Sequence, residues 1–218
     1  FFSAPWEKVF VAEGLSLREL SMVEPLSVGC HSTVRGRVQS SDTVAVIGCG
    51  TVGLGAIAAA SRAGAKVIGV DLDDRKLELA RTAGAQHSIH SGKQVLHEAL
   101  QELTGGHGPD VVIEAVGTPG TFRAAVEEVA YTGRVVYMGW AKEPITYETK
   151  LFILKELDIL GSRNSLNEFP QVIEMLQSGQ FPVEATLSAT VPLAKAGEAL
   201  EDWSNNPHAY SKILVEMA

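Results

Sequence analysis

The sequence predicts an α/β fold of the doubly wound kind, one open parallel sheet with helices on both faces. Two observations carry this. Short β-branched and apolar runs alternate with longer helical patterns along residues 43–160. Those runs are too uniformly apolar for a sheet with one wet face; strands buried on both faces read this way and belong to parallel sheets. Crossovers between such strands are right-handed.

Thr43-Val44-Ala45-Val46-Ile47-Gly48 is a buried strand ended by glycine. Val52–Ala63, rich in alanine, is a helix stopped by Gly64. Lys66–Asp71 is the second strand. A helix over Asp74–Ala83 follows, with Asp73 or Asp74 as N-cap and Gly84 after its end. Val95–Thr104 is a third helix, closed by Gly105 and Gly106. Then come a strand over Asp110–Ala115, a helix over Thr121–Ala130, a strand over Arg134–Met138 and a short strand over Leu157–Leu160 before Gly161. After Gly161 the alternation stops. Glu168–Ser178 is an amphipathic helix with Phe169, Val172, Ile173, Met175 and Leu176 as its apolar stripe. Ala185–Val191 reads as a strand, Ala194–Trp203 as a helix and Lys212–Val215 as a final strand. The division is residues 1–20, a remnant of a second domain; 21–165, the sheet domain; and 166–218, the return to the second domain. Phe1-Phe2-Ser3-Ala4-Pro5-Trp6 opens with aromatics where chain ends are ordinarily polar, and reads as the middle of a strand whose partners lie elsewhere.

The 218 residues, 45% of them hydrophobic, suffice for one substantial core. A net charge of −8 argues against nucleic acid and anionic membranes as partners. The longest run without a polar side chain, Val52–Ala60, is far short of a membrane span. No signal peptide is visible, and a cytoplasmic location is expected. The two cysteines, Cys30 and Cys49, have no second thiol nearby in sequence, so a disulfide framework or a zinc site built from this chain alone is not expected. Both read as small buried fillers.

The chemistry sits in Gly48-Cys49-Gly50-Thr51-Val52-Gly53. A Gly-x-Gly-x-x-Gly pattern alone is a weak signal. Here it follows a strand, opens a helix and precedes by 23 positions an acid, Asp71, that ends the next strand. Gly48 permits the tight turn, Gly50 lets the backbone approach a pyrophosphate, and Gly53 lets the helix pack on the strand. The amides of Thr51 and Val52 open the helix, whose free N–H groups and positive dipole end suit a diphosphate. Asp71 would accept hydrogen bonds from both hydroxyls of an adenosine ribose and repel a 2′-phosphate, which selects NAD over NADP. Arg75 and Lys76 argue the other way, unless they are a solvated helix face. Val116-Gly117 and Met138-Gly139 end later strands at the same sheet edge. They read as walls of a nicotinamide site, where small residues let a flat ring approach, or as simple turn glycines.

These residues resemble the zinc-dependent medium-chain dehydrogenases of the alcohol dehydrogenase superfamily, and within them the polyol and sugar-acid branch. The resemblance runs from Phe1 to Glu216. It is carried by Val23–Gly29 (Val-Glu-Pro-Leu-Ser-Val-Gly), the Gly48–Gly55 turn, Val70-Asp71 and Asp110–Gly117, then by Lys155–Leu157, Gly161–Asn164 and Lys212–Val215. It implies a Rossmann cofactor domain flanked at both ends by remnants of a β-rich, GroES-like catalytic domain. The cysteine and Gly-His-Glu motif of the family's catalytic zinc are absent from this sequence, as is the four-cysteine lobe. Glu24 is the one zinc-site position the resemblance carries over; read alone, it is an acid at a helix N-terminus. By the same resemblance Arg163 lies between nicotinamide and substrate, as a catalytic-site and cofactor contact, and Lys212 lies near the cofactor phosphates. Read alone, they are a surface arginine and a strand-edge lysine.

The expectation is an NAD-dependent oxidoreductase of a polyol or sugar acid, a homo-oligomer (dimer or tetramer), zinc-assisted when intact. This chain by itself is expected to bind NAD without turnover. Alternatives are a non-catalytic dinucleotide-binding or dimerisation module and a zinc-free reductase of the same superfamily; Glu24-Pro25 argues against the reductase.

Overall fold

The computed structural model describes residues 3–207 and 209–217. In chain order the elements begin with α1 Leu17–Leu20, α2 Val23–Arg35, β1 Thr43–Ile47, α3 Thr51–Arg62, β2 Lys66–Asp71 and α4 Asp74–Thr82. They continue with β3 His87–His90, α5 Leu96–Leu103, β4 Val111–Glu114, α6 Pro119–Glu128, β5 Arg134–Tyr137, α7 Lys150–Leu154 and β6 Asp158–Gly161. The last are α8 Phe169–Gln177, α9 Val183–Thr186, β7 Leu187–Pro192, α10 Ala196–Asn205 and β8 Lys212–Glu216.

The first six strands form one parallel sheet in the order β3-β2-β1-β4-β5-β6. The order reverses between β1 and β4, and a crevice opens at the carboxyl ends of strands around such a switch point. Strand alternation sorts the core into two layers. Val44, Val46, Val67, Val111 and Ile113 point to the face covered by α2, α3, α4 and α8. Ala45, Ile47, Ile68, Val112 and Val135 point to the face covered by α5 and α6. Each fully buried valine, leucine or isoleucine contributes about 1.5–3 kcal/mol, so these layers hold the sheet flat against its helices.

β7 and β8 form a separate parallel pair. α8 packs on α2, and its Val172, Met175 and Leu176 belong to the same core layer as Leu26 and Ile57.

Three expectations need correction. Asp73 caps α4 as expected, but the helix expected over 121–130 begins at Pro119, because Thr118 caps it and proline suits the first helical position. The expected strand over 185–191 starts at Leu187, after the short helix α9. Residues 3–16 contain a 3-10 turn at Trp6–Lys8 and no strand, with Trp6, Val9 and Val11 exposed. The strand expected at the chain start otherwise falls on Phe1 and Phe2, outside the described residues. β3 and α7 were unforeseen, and α2 was foreseen only at its start, through Glu24. β3 (His-Ser-Ile-His) buries only Ile89, so it has no apolar run to read. α2 contains Pro25 and Gly29 and buries Ser27, Ser32 and Thr33, which hides its helical period. Its packing explains the composition: a Cβ on Gly29 would collide with the Val52 carbonyl oxygen of α3. One on Gly55 would lie 2.6 Å from the Leu26 carbonyl oxygen. Two glycines let two helix backbones touch.

Candidate cofactor cleft

β1 ends at Ile47, and the chain turns at Gly48 with φ +99°. A side chain there would be strained by φ and would press on Val116. The Gly48 amide donates to the Val70 carbonyl at 2.8 Å, tying the turn to β2. Gly53 is closed in: a Cβ would collide with the Gly48 carbonyl oxygen. Gly50 is the opposite case. A Cβ there would meet no atom within 4 Å, and as N-cap of α3 it supplies no capping side chain. The leading N–H groups of α3 therefore face open space lined by backbone, which is how a helix start cradles an anion.

Asp71 ends β2 beside this turn. Its Oδ2 accepts from the Cys49 amide at 2.7 Å. Its Oδ1 accepts from the amides of Leu72 at 2.7 Å and Asp73 at 3.1 Å. A carboxylate offers about four lone-pair sites, so about one is left for a ligand hydroxyl, fewer than the pair expected from sequence. A cleft of about 330 Å³ runs past Gly48, Gly50, Asp71, Lys76, Ser91, Val116, Thr118 and Thr121. Lys76 lines it; Arg75 is exposed and is not among the lining residues. Asp73 is occupied capping α4 through the amides of Arg75 and Lys76. Asp74 pairs with Lys93 at 2.5 Å, and that bond holds its carboxyl below the usual carboxylate range.

The far wall is organised by a residue outside the glycine motif. Glu114 ends β4 and is fully buried. Its Oε1 accepts from the amides of Val116 at 2.9 Å and Gly117 at 2.8 Å and from the Thr121 hydroxyl at 2.7 Å. Gly117 (φ +90°) abuts the Trp140 backbone, and a Cβ on Gly139 would collide with Glu114 Oε2 and the Gly117 amide. These two glycines are therefore required by loop-to-loop contact. Val116 is half exposed on the cleft. The available signal was an acid ending an otherwise apolar run, Val111–Glu114.

The remaining expected residues lie outside the cleft lining. Thr51 is buried, and its Oγ1 donates to the Ser211 carbonyl at 2.8 Å. Val52 and Gly53 follow it in the first turn of α3. Lys212, half-buried, opens β8 directly after Ser211. Arg163 is exposed on the loop after β6. That loop is anchored by Glu168, a buried carboxylate bonded to His31 Nδ1 at 2.7 Å, the Leu166 amide at 2.5 Å and the Asn167 amide at 3.0 Å. Glu24 is exposed in the first turn of α2. Among the described residues no group of three His, Cys, Asp or Glu is arranged to hold a metal, so the residues present do not fit a zinc site. Cys30 and Cys49 are buried; burial pushes the Cys30 thiol up to about 12 and the Cys49 thiol higher, which leaves both unreactive.

An open parallel sheet with a glycine turn, an unblocked helix start and an acid at the second strand end is the dinucleotide-binding Rossmann class. The match is more specific than the class. The zinc-binding dehydrogenase family matches residues 51–178, and the chain belongs to it. Sorbitol dehydrogenase of Bacillus subtilis (strain 168) is 32% identical over 207 residues, covering 94% of this chain and 59% of its own length. A short chain alcohol dehydrogenase of Escherichia coli CFT073, solved with NADH, superposes with TM-score 0.87 at 27% identity, over 98% of this chain and 64% of that one. A zinc-binding dehydrogenase of Sinorhizobium meliloti 1021, solved with NADP, gives TM-score 0.86 at 26% identity, over 97% of this chain and 63% of that one. The chain spans 48–59% of the length of curated relatives it matches. No helix of the described residues is long and apolar enough to cross a membrane.

Proposed function

We propose that this chain carries the NAD-binding domain of a polyol or sugar-acid dehydrogenase, with residues 21–165 as that domain. The observation behind the cofactor choice is Asp71. Its carboxylate is fixed by the Cys49 amide at the mouth of the cleft, where an adenosine ribose would lie if the diphosphate sits on α3. A 2′-phosphate in that place would meet a fixed like charge, which costs several-fold to hundreds-fold in affinity. Lys76 offsets part of that repulsion, so NADPH binding is weakened, not abolished.

When bound, nicotinamide supplies hydride exchange at its ring. This chain's residues do the holding. The open helix start at Gly50 receives the diphosphate. Asp71 orients the ribose. The loops braced by Glu114 present Val116 as an apolar wall for the ring. With Glu24 as the single carried-over zinc position, these 218 residues bind the cofactor without oxidising polyols on their own. Edge strand β6, with Ile159 partly exposed, is where a second copy would pair.

The test is fluorescence titration of the chain with NADH and with NADPH. NADH should bind at least about tenfold more tightly, and Asp71→Ser should narrow that ratio. Equal affinities for the two cofactors would remove the reading of Asp71. Zinc-dependent polyol turnover by these 218 residues would remove the second half of the proposal.

A further inference from the structure

The side chain of Thr51 points away from the cleft. Thr51 is the first residue of α3 and sits in the turn where a hydroxyl would ordinarily be offered to a phosphate oxygen. It is buried, and its one proton is already donated to the Ser211 carbonyl at 2.8 Å. A hydroxyl has one donor, so nothing remains to give a phosphate. The Ser211 amide in turn donates to the Ser188 hydroxyl of β7 at 2.8 Å. Both polar groups of the Ser211 backbone are thereby fixed, one to the helix start and one to the neighbouring strand.

The carbonyl that Thr51 holds belongs to the peptide unit joining Ser211 to Lys212. That unit is planar, so fixing its oxygen fixes the plane from which Lys212 departs. Lys212 opens β8, half-buried, with no ion pair or hydrogen bond of its ammonium among the described residues. Its Cα lies one residue, about 3.8 Å, from a residue bonded to the first turn of α3. Its four-carbon stem is long and flexible enough for its compact charge to reach a group one turn of chain away.

We propose that Thr51 is a positioning residue. Its hydroxyl latches β8 onto the first turn of α3, so that Lys212 is delivered to the diphosphate, and it contributes to cofactor binding through Lys212 and not by its own contact. This rests on the cofactor reading above. It also gives the β7–β8 pair a part in the cleft, although neither strand belongs to the main sheet.

The experiment is a double-mutant cycle on NADH affinity, followed by fluorescence, with Thr51→Val and Lys212→Gln, each measured over a range of salt. Thr51→Val keeps the shape and deletes the donor. It should raise the NADH Kd by about three- to tenfold, the worth of one neutral hydrogen bond. Lys212→Gln should raise it by at least as much and flatten its salt dependence. If the latch acts through Lys212, Thr51→Val adds little on top of Lys212→Gln and itself flattens the salt dependence, while Thr51→Ser restores both affinity and slope. Additive losses, or a Thr51→Val chain with the unaltered salt slope, overturn the inference alone. Full affinity in Thr51→Val overturns it as well. Failure of the unaltered chain to bind NADH overturns the cofactor reading and takes this inference with it. Melting curves of Thr51→Ser and Thr51→Val identify a folding loss, and the Thr51→Ser titration then decides.

Discussion

The two ends of the cleft are built by different means. At one end β1, the Gly48–Gly53 turn, α3 and β2 lie in one short stretch of chain, with β1 paired to β2 and the turn tied to β2 through Gly48. At the other end the wall is made where the loop after β4 meets the loop after β5. Glu114 grips the amides of Val116 and Gly117, and Gly139 fits against both Glu114 and Gly117. The first end is a local motif with a fixed spacing. The second is a tertiary contact between loops more than twenty residues apart. One end can therefore be altered a residue at a time, whereas the other fails as a unit.

The sharpest way to break that contrast lies within the turn itself, at two glycines of one motif. Gly53→Ala forces a Cβ into the Gly48 carbonyl oxygen and should lower stability by about 3 kcal/mol, visible as a lower urea midpoint, with cofactor binding lost as a consequence. Gly50→Ala places its methyl in open space, at φ −70° where alanine is at ease. Its stability should change by less than about 0.5 kcal/mol while NADH affinity falls severely, because the methyl occupies the phosphate cradle. If Gly50→Ala binds NADH like the parent chain, the diphosphate does not sit on α3.

The second test addresses the far wall. Glu114→Ala strips one acceptor from two amides and a hydroxyl in a dry setting, and should cost about 2 kcal/mol. Glu114→Gln retains an acceptor oxygen and should recover most of that. Hydrogen exchange of the Val116 and Gly117 amides reads the effect directly: fast in Glu114→Ala, protected in the parent. Unchanged protection in Glu114→Ala would mean that the wall stands without its brace.

The same contrast decides what could be read before the structure. β1, α3 and β2 were legible because burial on both faces makes the interior strand positions small or apolar, and because the glycines and Asp71 sit at spacings fixed by one turn. β3 was not, since an edge strand with polar faces leaves only Ile89 to report it. α2 was legible only at its first turn, because its close contact with α3 demands Gly29 at a position where helical propensity argues against it. In the site, Gly48, Gly50, Asp71 and Val116 line one cleft at the strand ends. Of the two basic residues weighed together, Lys76 lines the cleft and Arg75 is exposed, because helical phase, which proximity in sequence does not settle, turns one inward and the other to solvent. Glu114 was visible as an acid in an apolar strand, and its hydrogen-bond partners lie within seven residues of it, but the loop that packs Gly139 against it is brought there only by the fold.

The smallest effect concerns the anchor of the loop that carries Arg163. Glu168 is buried, and burial alone would raise its carboxyl. The bonds from His31 and from the Leu166 and Asn167 amides outweigh burial, and the net shift is downward. A carboxyl lowered on folding stabilises the folded chain fully above its unfolded value, about 4.3, and that contribution is lost as pH falls through the lower folded value. The parent chain should therefore lose stability on acidification below about pH 4.3, and Glu168→Gln, which cannot ionise, should lose less over that interval. Urea midpoints of the two chains at neutral pH and at successively lower pH give the difference directly. Parallel curves would show that Glu168 gains nothing from its three donors, and the loop bearing Arg163 would then be held by packing of α8 on α2 alone.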